Sequence, residues 1–313
     1  RARKLIRDEI GFGTTLLRTH VEVDNVVGYT SLDAILPLRE EFASSIDIQV
    51  CAFAQEGITN VDGQVEMLRE SLRRGCDAVG SAPYCDPDPA RNIQLAFDLA
   101  QEFNVPVDFH LDYHLEGKPS FLWKVVEETI RRGYQGKVCL GHMTYLSTLS
   151  AEDLRTAGER LGEAGVSVLC LPASDLCMMA RGDDSNRRRG VAPVHVLSAM
   201  GANAAFATNN VQNLFTFTGD GYVLRIGTLV CQVLQLTSES ETRLCLDMAT
   251  THAARALGVE GHSIAVGAPA DMVILGSQGP SSMQLLAAPP VERAVIKRGR
   301  VVCETRLDRS FHL

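Results

Sequence analysis

The stretch that decides the fold is "ARNIQLAFDLAQEFNVPVDFHLDY", residues 90–113. Its first part, "ARNIQLAFDLAQEF", has the apolar spacing of an amphipathic helix. Its last part, "PVDFHLDY" (106–113), reads as a buried strand that ends in polar residues. The same pairing recurs along the chain. Strands are read at 14–23, 46–54, 77–83, 137–143, 166–173 and 204–210, with helical stretches such as "VEMLRESLRRG" and "SFLWKVVEETIRRG" between them. Several of these helices end in a glycine suited to the left-handed position just past a helix. Seven strand–helix units with continuous apolar strands imply a parallel sheet covered by helices. Seven is one short of a TIM (β/α)8 barrel, and "RARKLIRDEIGFG" opens in mid-helix and runs straight into a strand. The expectation is a (β/α)8 barrel over residues 1–258 whose first strand lies upstream of residue 1. Residues 259–313 hold only short strands separated by turn residues, "SIAVGAPADMVILG" and "VERAVIKRGRVV", and are read as half of a small β-sandwich.

The bulk composition narrows the function classes. The 313 residues are 45% hydrophobic and 22% charged, ordinary for a globular enzyme. A net charge of −8 argues against nucleic acid or an anionic membrane surface as the main partner. No apolar run reaches the roughly 18 residues of a membrane span. The nine cysteines form no CxxC pair, and Cys51, Cys139, Cys170 and Cys245 sit inside apolar patterns. Buried free thiols in a cytoplasmic protein are the expectation.

In a parallel barrel, chemistry collects at the C-terminal ends of the strands. Those ends carry His20, Gln55, His110 with Asp112 and His114, His142, and Asn209 with Asn210. Imidazoles from different strands can converge on one metal ion; polar residues also end strands simply because loops follow. His110 and His114 cannot chelate one ion while the strand continues, because residues four apart in an extended chain sit about 13 Å apart. If the chain turns after Asp112, His114 swings back as an acid–base or pocket residue, and His110 is the ligand. Other positions weigh less. Arg187, Arg188 and Arg189 read as a solvated charge run, His252 as a packed helix residue, and Asp220 as a turn residue. His20 is open between supporting the site and a structural role.

The chain resembles the amidohydrolase superfamily, specifically its cytosine-deaminase-like and N-isopropylammelide-amidohydrolase-like branch. "LRTHVEVD", "CAFAQEG", "GCDAVGSAP", "VDFHLDYHLEG", "RRGYQGKVCLGH" and "NRRRGVAP" match that branch in order and spacing, and "GHSIAVGAPADMVIL" with "AVIKRGRVV" matches its C-terminal strands. The resemblance implies one divalent metal ion, zinc or iron, held by an HxH pair on strand 1, by His110, and often by a histidine at the place of His142. It implies a small cyclic substrate, pyrimidine- or triazine-like, losing an amino group, with Gln55 on the ring edge and a homo-oligomeric enzyme. Three features depart from the pattern: the HxH strand is not in this chain, Tyr113 stands where a proton-shuttling glutamate is usual, and Asn209 stands where an aspartate is usual. An amide is no general base. His114 or Asp112 is then the substitute acid–base, and His142 ligates the ion or stabilises the developing charge; Tyr113 lines the pocket; Asn209, in the catalytic aspartate's place, and Asn210, towards the substrate, belong to the site or else cap the loop. The alternative is a protein that has lost its chemistry and serves in binding or as a scaffold. Metal-dependent hydrolysis of a C–N bond is the favoured reading.

Overall fold

The computed structural model describes residues 1–313 except 116, 117, 277, 278, 280 and 313. All seven expected strands are present: β1 (Leu16–Glu22), β2 (Asp47–Ala54), β3 (Ala78–Ser81), β4 (Val107–Leu111), β5 (Val138–His142), β6 (Val166–Cys170) and β7 (Ala204–Phe206). They form one parallel sheet in sequence order, each strand hydrogen-bonded to the next. Residues 50–54 of β2 and all of β3, β4 and β5 are buried, as strands covered on both faces must be.

The helices between them follow from local sequence. In Pro89–Phe103, Asp88 caps the start by accepting from the Arg91 amide at 3.0 Å, and Pro89 occupies the first turn, where no amide proton is needed. Ile93, Ala96, Phe97 and Ala100 are buried along one face. The helix Leu122–Arg132 ends at Gly133, with φ 67°, as the glycine pattern anticipates.

Several strands stop earlier than the apolar runs suggest. β6 is expected to reach residue 173, but Pro172 begins a helix, Pro172–Met178, directly after it. β4 stops at Leu111 because Asp112 takes a left-handed φ of 46°. β7 is three residues long, and Asn209 beyond it is also left-handed, with φ 55°.

Alternate residues on each strand face the concave side. Arg18 on β1 donates to Gln49 Oε1 on the neighbouring β2 and to Asp108 Oδ2 on β4, at 2.8 and 2.9 Å. A side chain on the first strand can meet one on the fourth only if the sheet is curled. Its two end strands, β1 and β7, are not hydrogen-bonded to each other.

The C-terminal strands β8 (Met272–Leu275), β9 (Arg293–Lys297) and β10 (Arg300–Thr305) form an antiparallel sheet in the order β10-β9-β8. Lys297 ties it to the parallel sheet. Its buried ammonium donates to Asp271 Oδ2 (2.5 Å), Asp47 Oδ2 (2.6 Å) and the Thr15 carbonyl (3.0 Å). Among the described residues no helix is long and apolar enough to cross a membrane.

Candidate active site

Three strand ends build the centre of the site. His110 is the fourth residue of β4, on the same side as Asp108 two residues earlier. His142 ends β5, and its ring meets that of His110 edge to face, with centroids 4.6 Å apart. His20 on β1 completes a row, with its ring 5.0 Å from His110. Phe53 on β2 closes the side, 4.6 Å from His110 and 5.1 Å from His20. Burial, together with the neighbouring His142 and His20, holds the His110 pKa well below the ordinary imidazole value, so the ring is neutral and its lone pair free to bind.

Below this row lies a buried ion pair that the sequence reading missed. Asp108 accepts from Arg18, and its other oxygen lies 3.3 Å from His20 Nε2. Burial alone would raise the Asp108 pKa, but His20 and Arg18 overcome it and hold the carboxyl well below its usual range. His20 is therefore anchored by a carboxylate, with its ring beside that of His110.

A second omission is Asp175. Its Oδ1 lies 2.6 Å from His142 Nδ1, with both side chains buried. The only sequence signal was an aspartate inside "LPASDLCMM", a segment read as strand end and loop.

The chain does turn at Asp112, and the amide of His114 donates to the Asp112 carbonyl at 2.9 Å. His114 thereby leaves the line of His110; its ring lies 5.4 Å from Tyr145. Burial pushes its pKa down, with Asp112 and the Pro119 main chain resisting. The Asp112 carboxylate accepts from Ser120 Oγ at 2.5 Å and the Phe121 amide at 3.1 Å, anchoring the loop before the next helix. Tyr113 stands 5.2 Å from the His142 ring and 6.1 Å from Tyr84. Burial, reinforced by Asp175, pushes its phenol up to about 12, so at neutral pH the hydroxyl keeps its proton.

Gln55, just past β2, is half-buried; its amide nitrogen lies 3.9 Å from Cys85 Sγ, and its side chain also meets the Tyr84 phenol. Asn210 accepts from Asn213 Nδ2 at 2.5 Å, and its main-chain amide lies 3.4 Å from Ser174 Oγ. Outside the site, His252 Nδ1 pairs with the Ala204 carbonyl at 3.0 Å, and Asp220 accepts from the Tyr222 amide and Arg225.

Tyr113 and His114 also line a cavity of about 460 Å³ with Leu115, Thr144, Met178, Met179, Ala180 and Arg188. That volume suits a small ring compound. Arg188, from the expected solvated run, forms part of this wall. Among the described residues, seven buried side-chain atoms make no hydrogen bond. Three of them belong to residues that line this cavity, Tyr113 Oη and His114 Nδ1 and Nε2, while Asp175 Oδ2 lies on the carboxyl that meets His142 and Asn209 Nδ2 follows β7. Backbone strain collects there too, since Asp112, His142, Met143 and Asn209 all have positive φ.

The relationships of the chain agree with this geometry. The sequence model of the amidohydrolase family matches residues 76–303. N-isopropylammelide isopropyl amidohydrolase of a Pseudomonas species is 32% identical over 299 residues, covering 93% of this chain and 69% of the relative. A 5-methylcytosine deaminase from Klebsiella pneumoniae superposes with a TM-score of 0.91 at 27% identity, over 99% of this chain and 76% of that one. N-isopropylammelide isopropylaminohydrolase from Burkholderia multivorans gives 0.86 at 25% identity, over 97% and 75%. The chain belongs to the amidohydrolase family, hydrolases of carbon–nitrogen bonds other than peptide bonds.

Proposed function

We propose that this site hydrolyses the bond between a ring carbon and an exocyclic nitrogen in a small pyrimidine- or triazine-like amide or amidine. One observation carries the reading: the Tyr113 hydroxyl, buried and unpartnered, and the His114 ring face one cavity of a size for a small ring. Leaving such atoms unpaired costs about 1–3 kcal/mol each, which a bound polar ring repays by supplying their hydrogen bonds. The relatives named above support the substrate class, since their names describe a triazine amidohydrolase and a cytosine-type deaminase.

In the proposed reaction a bond forms between water oxygen and the ring carbon, the exocyclic C–N bond breaks, and the proton lost by water goes to the leaving nitrogen. His114 is proposed to move that proton. Its ring meets no other side chain in a hydrogen bond and only the Pro119 main chain stands against it, and burial favours its neutral, proton-accepting form. Asp112 is the weaker candidate, because Ser120 and Phe121 already occupy its carboxylate. Asn209 Nδ2 and Tyr113 Oη offer donors to ring or carbonyl acceptors, and Gln55 offers both a donor and an acceptor.

The family resemblance implies a divalent ion. Among the described residues, however, no group of three or more His, Cys, Asp or Glu side chains could hold one. His110 and His142 amount to two imidazoles, and a catalytic zinc site takes three protein ligands. These residues alone do not complete a metal centre, and no step above is routed through one.

The test is amine release by the protein, assayed with and without added zinc, from a panel of amino-pyrimidines and amino-triazines. Activity should fall about 10²–10⁴-fold in His114→Ala and stay within about tenfold in Asp112→Asn. No release from any ring, or full activity in His114→Ala, would overturn the proposal.

A further inference from the structure

We infer that Asp175 is a positioning residue: it fixes the orientation and the proton of the His142 ring, and so sets which nitrogen that ring presents to the reaction proposed above, on which this role rests. The contact to His142 is the only hydrogen bond of the Asp175 side chain among the described residues. Its carboxyl is fully buried and its second oxygen has no partner, an arrangement that costs stability and that packing does not explain. A carboxylate oxygen 2.6 Å from Nδ1 holds the ring proton there and leaves the Nε2 lone pair free.

The supporting structure is built to hold this contact. His142 has a φ of 69°, a strained conformation for a residue with a side chain, and the next amide, Met143, is pinned to the Leu111 carbonyl at 3.1 Å. Asp175 lies in the short helix Pro172–Met178, which follows β6 with a single intervening residue, Leu171. The neighbouring Ser174 meets Thr216 Oγ1 at 3.0 Å and lies 3.4 Å from the Asn210 amide. One short helix thus grips both the histidine at the end of β5 and the asparagine loop after β7.

The experiment is nitrogen-15 NMR of histidine-labelled full-length protein, read with steady-state kinetics. In the unaltered protein the His142 proton should sit on Nδ1. In Asp175→Asn the side-chain amide can turn its NH2 towards Nδ1, and the proton should move to Nε2. kcat should then fall about 10–100-fold, with KM within about threefold and circular dichroism unchanged. The reading of the unaltered ring needs no variant to fold: a proton on Nε2 alone overturns the inference. So does an Asp175→Asn enzyme with an unmoved proton, or with kcat within about twofold. A proton that moves as expected in a protein that releases no amine from any ring would retire the proposed reaction while upholding the hold of Asp175 on His142.

Discussion

Two of the departures from the family pattern, Tyr113 and Asn209, have distinct physical consequences at the level of single residues. Tyr113 takes the glutamate position but keeps its proton at neutral pH, so it donates and does not shuttle. Asn209 places an unpartnered amide at the end of β7, in a left-handed conformation that asparagine tolerates better than most residues. His114 is half-buried beside Tyr145, with the Pro119 main chain against its ring. Gln55, beside Cys85 and Tyr84, is half-buried just past β2. Gln55→Leu keeps the bulk and removes both hydrogen-bonding groups. It should weaken the binding of a non-reactive ring analogue by about 1–3 kcal/mol without altering thermal stability by a comparable amount. Calorimetric titration measures this, and unchanged affinity would return Gln55 to a packing role.

Among the elements, the first helix, Ala2–Phe12, carries an unusual burden. Glu9 is buried on its inner face, accepts from Thr14 Oγ1 at 2.7 Å, and would leave a side chain at Gly221 no room. Burial, with some help from Asp220, raises its pKa from 4.5 to about 7. Between those values the folded protein keeps the proton while the unfolded chain gives it up, so stability falls as pH rises through that window and levels off above it. Glu9→Gln removes the ionisation and keeps an acceptor for Thr14. At pH 8 it should gain up to about 3 kcal/mol over the unaltered protein, and at pH 4 almost nothing. Urea denaturation at the two pH values decides it; an equal effect at both would show that Glu9 carries no such penalty. A different constraint acts in β3, where a Cβ at Gly80 would lie 2.1 Å from the Asp108 carbonyl on β4. The glycine there permits close approach of two strands.

The whole molecule joins a curled parallel sheet to a small antiparallel one, and Lys297 is the polar link between them. Its charge is satisfied by Asp271 from its own sheet and by Asp47 and Thr15 from the other. Removing the ammonium would leave the buried Asp271 carboxylate facing no countercharge from that residue. Lys297→Ala should therefore cost about 3–5 kcal/mol, and limited proteolysis should cut first within residues 259–313. A loss under about 1 kcal/mol, with unchanged cleavage, would mean that apolar contacts such as Val273 against Gly13 hold the two sheets together.

Local sequence determined the seven strands, their parallel order and the polar residues at their ends, because a buried βα unit writes its period into the chain. It also pointed to His110 and His142 as neighbours, since consecutive parallel strands place their ends side by side. What the sequence could not express were contacts whose partners lie far apart in the chain and carry no period. Asp175 lies just past the strand read at 166–173 and carries no period of its own; Pro172 opens a helix that aims it at His142. The pairing of Arg18 and His20 with Asp108 exists only because the sheet curls and carries β1 round to face β4. Whether His114 stayed in line with His110 or left it turned on one backbone angle at Asp112. Residue type permits that angle, but only the packing of Ser120 and Phe121 around the Asp112 carboxylate selects it.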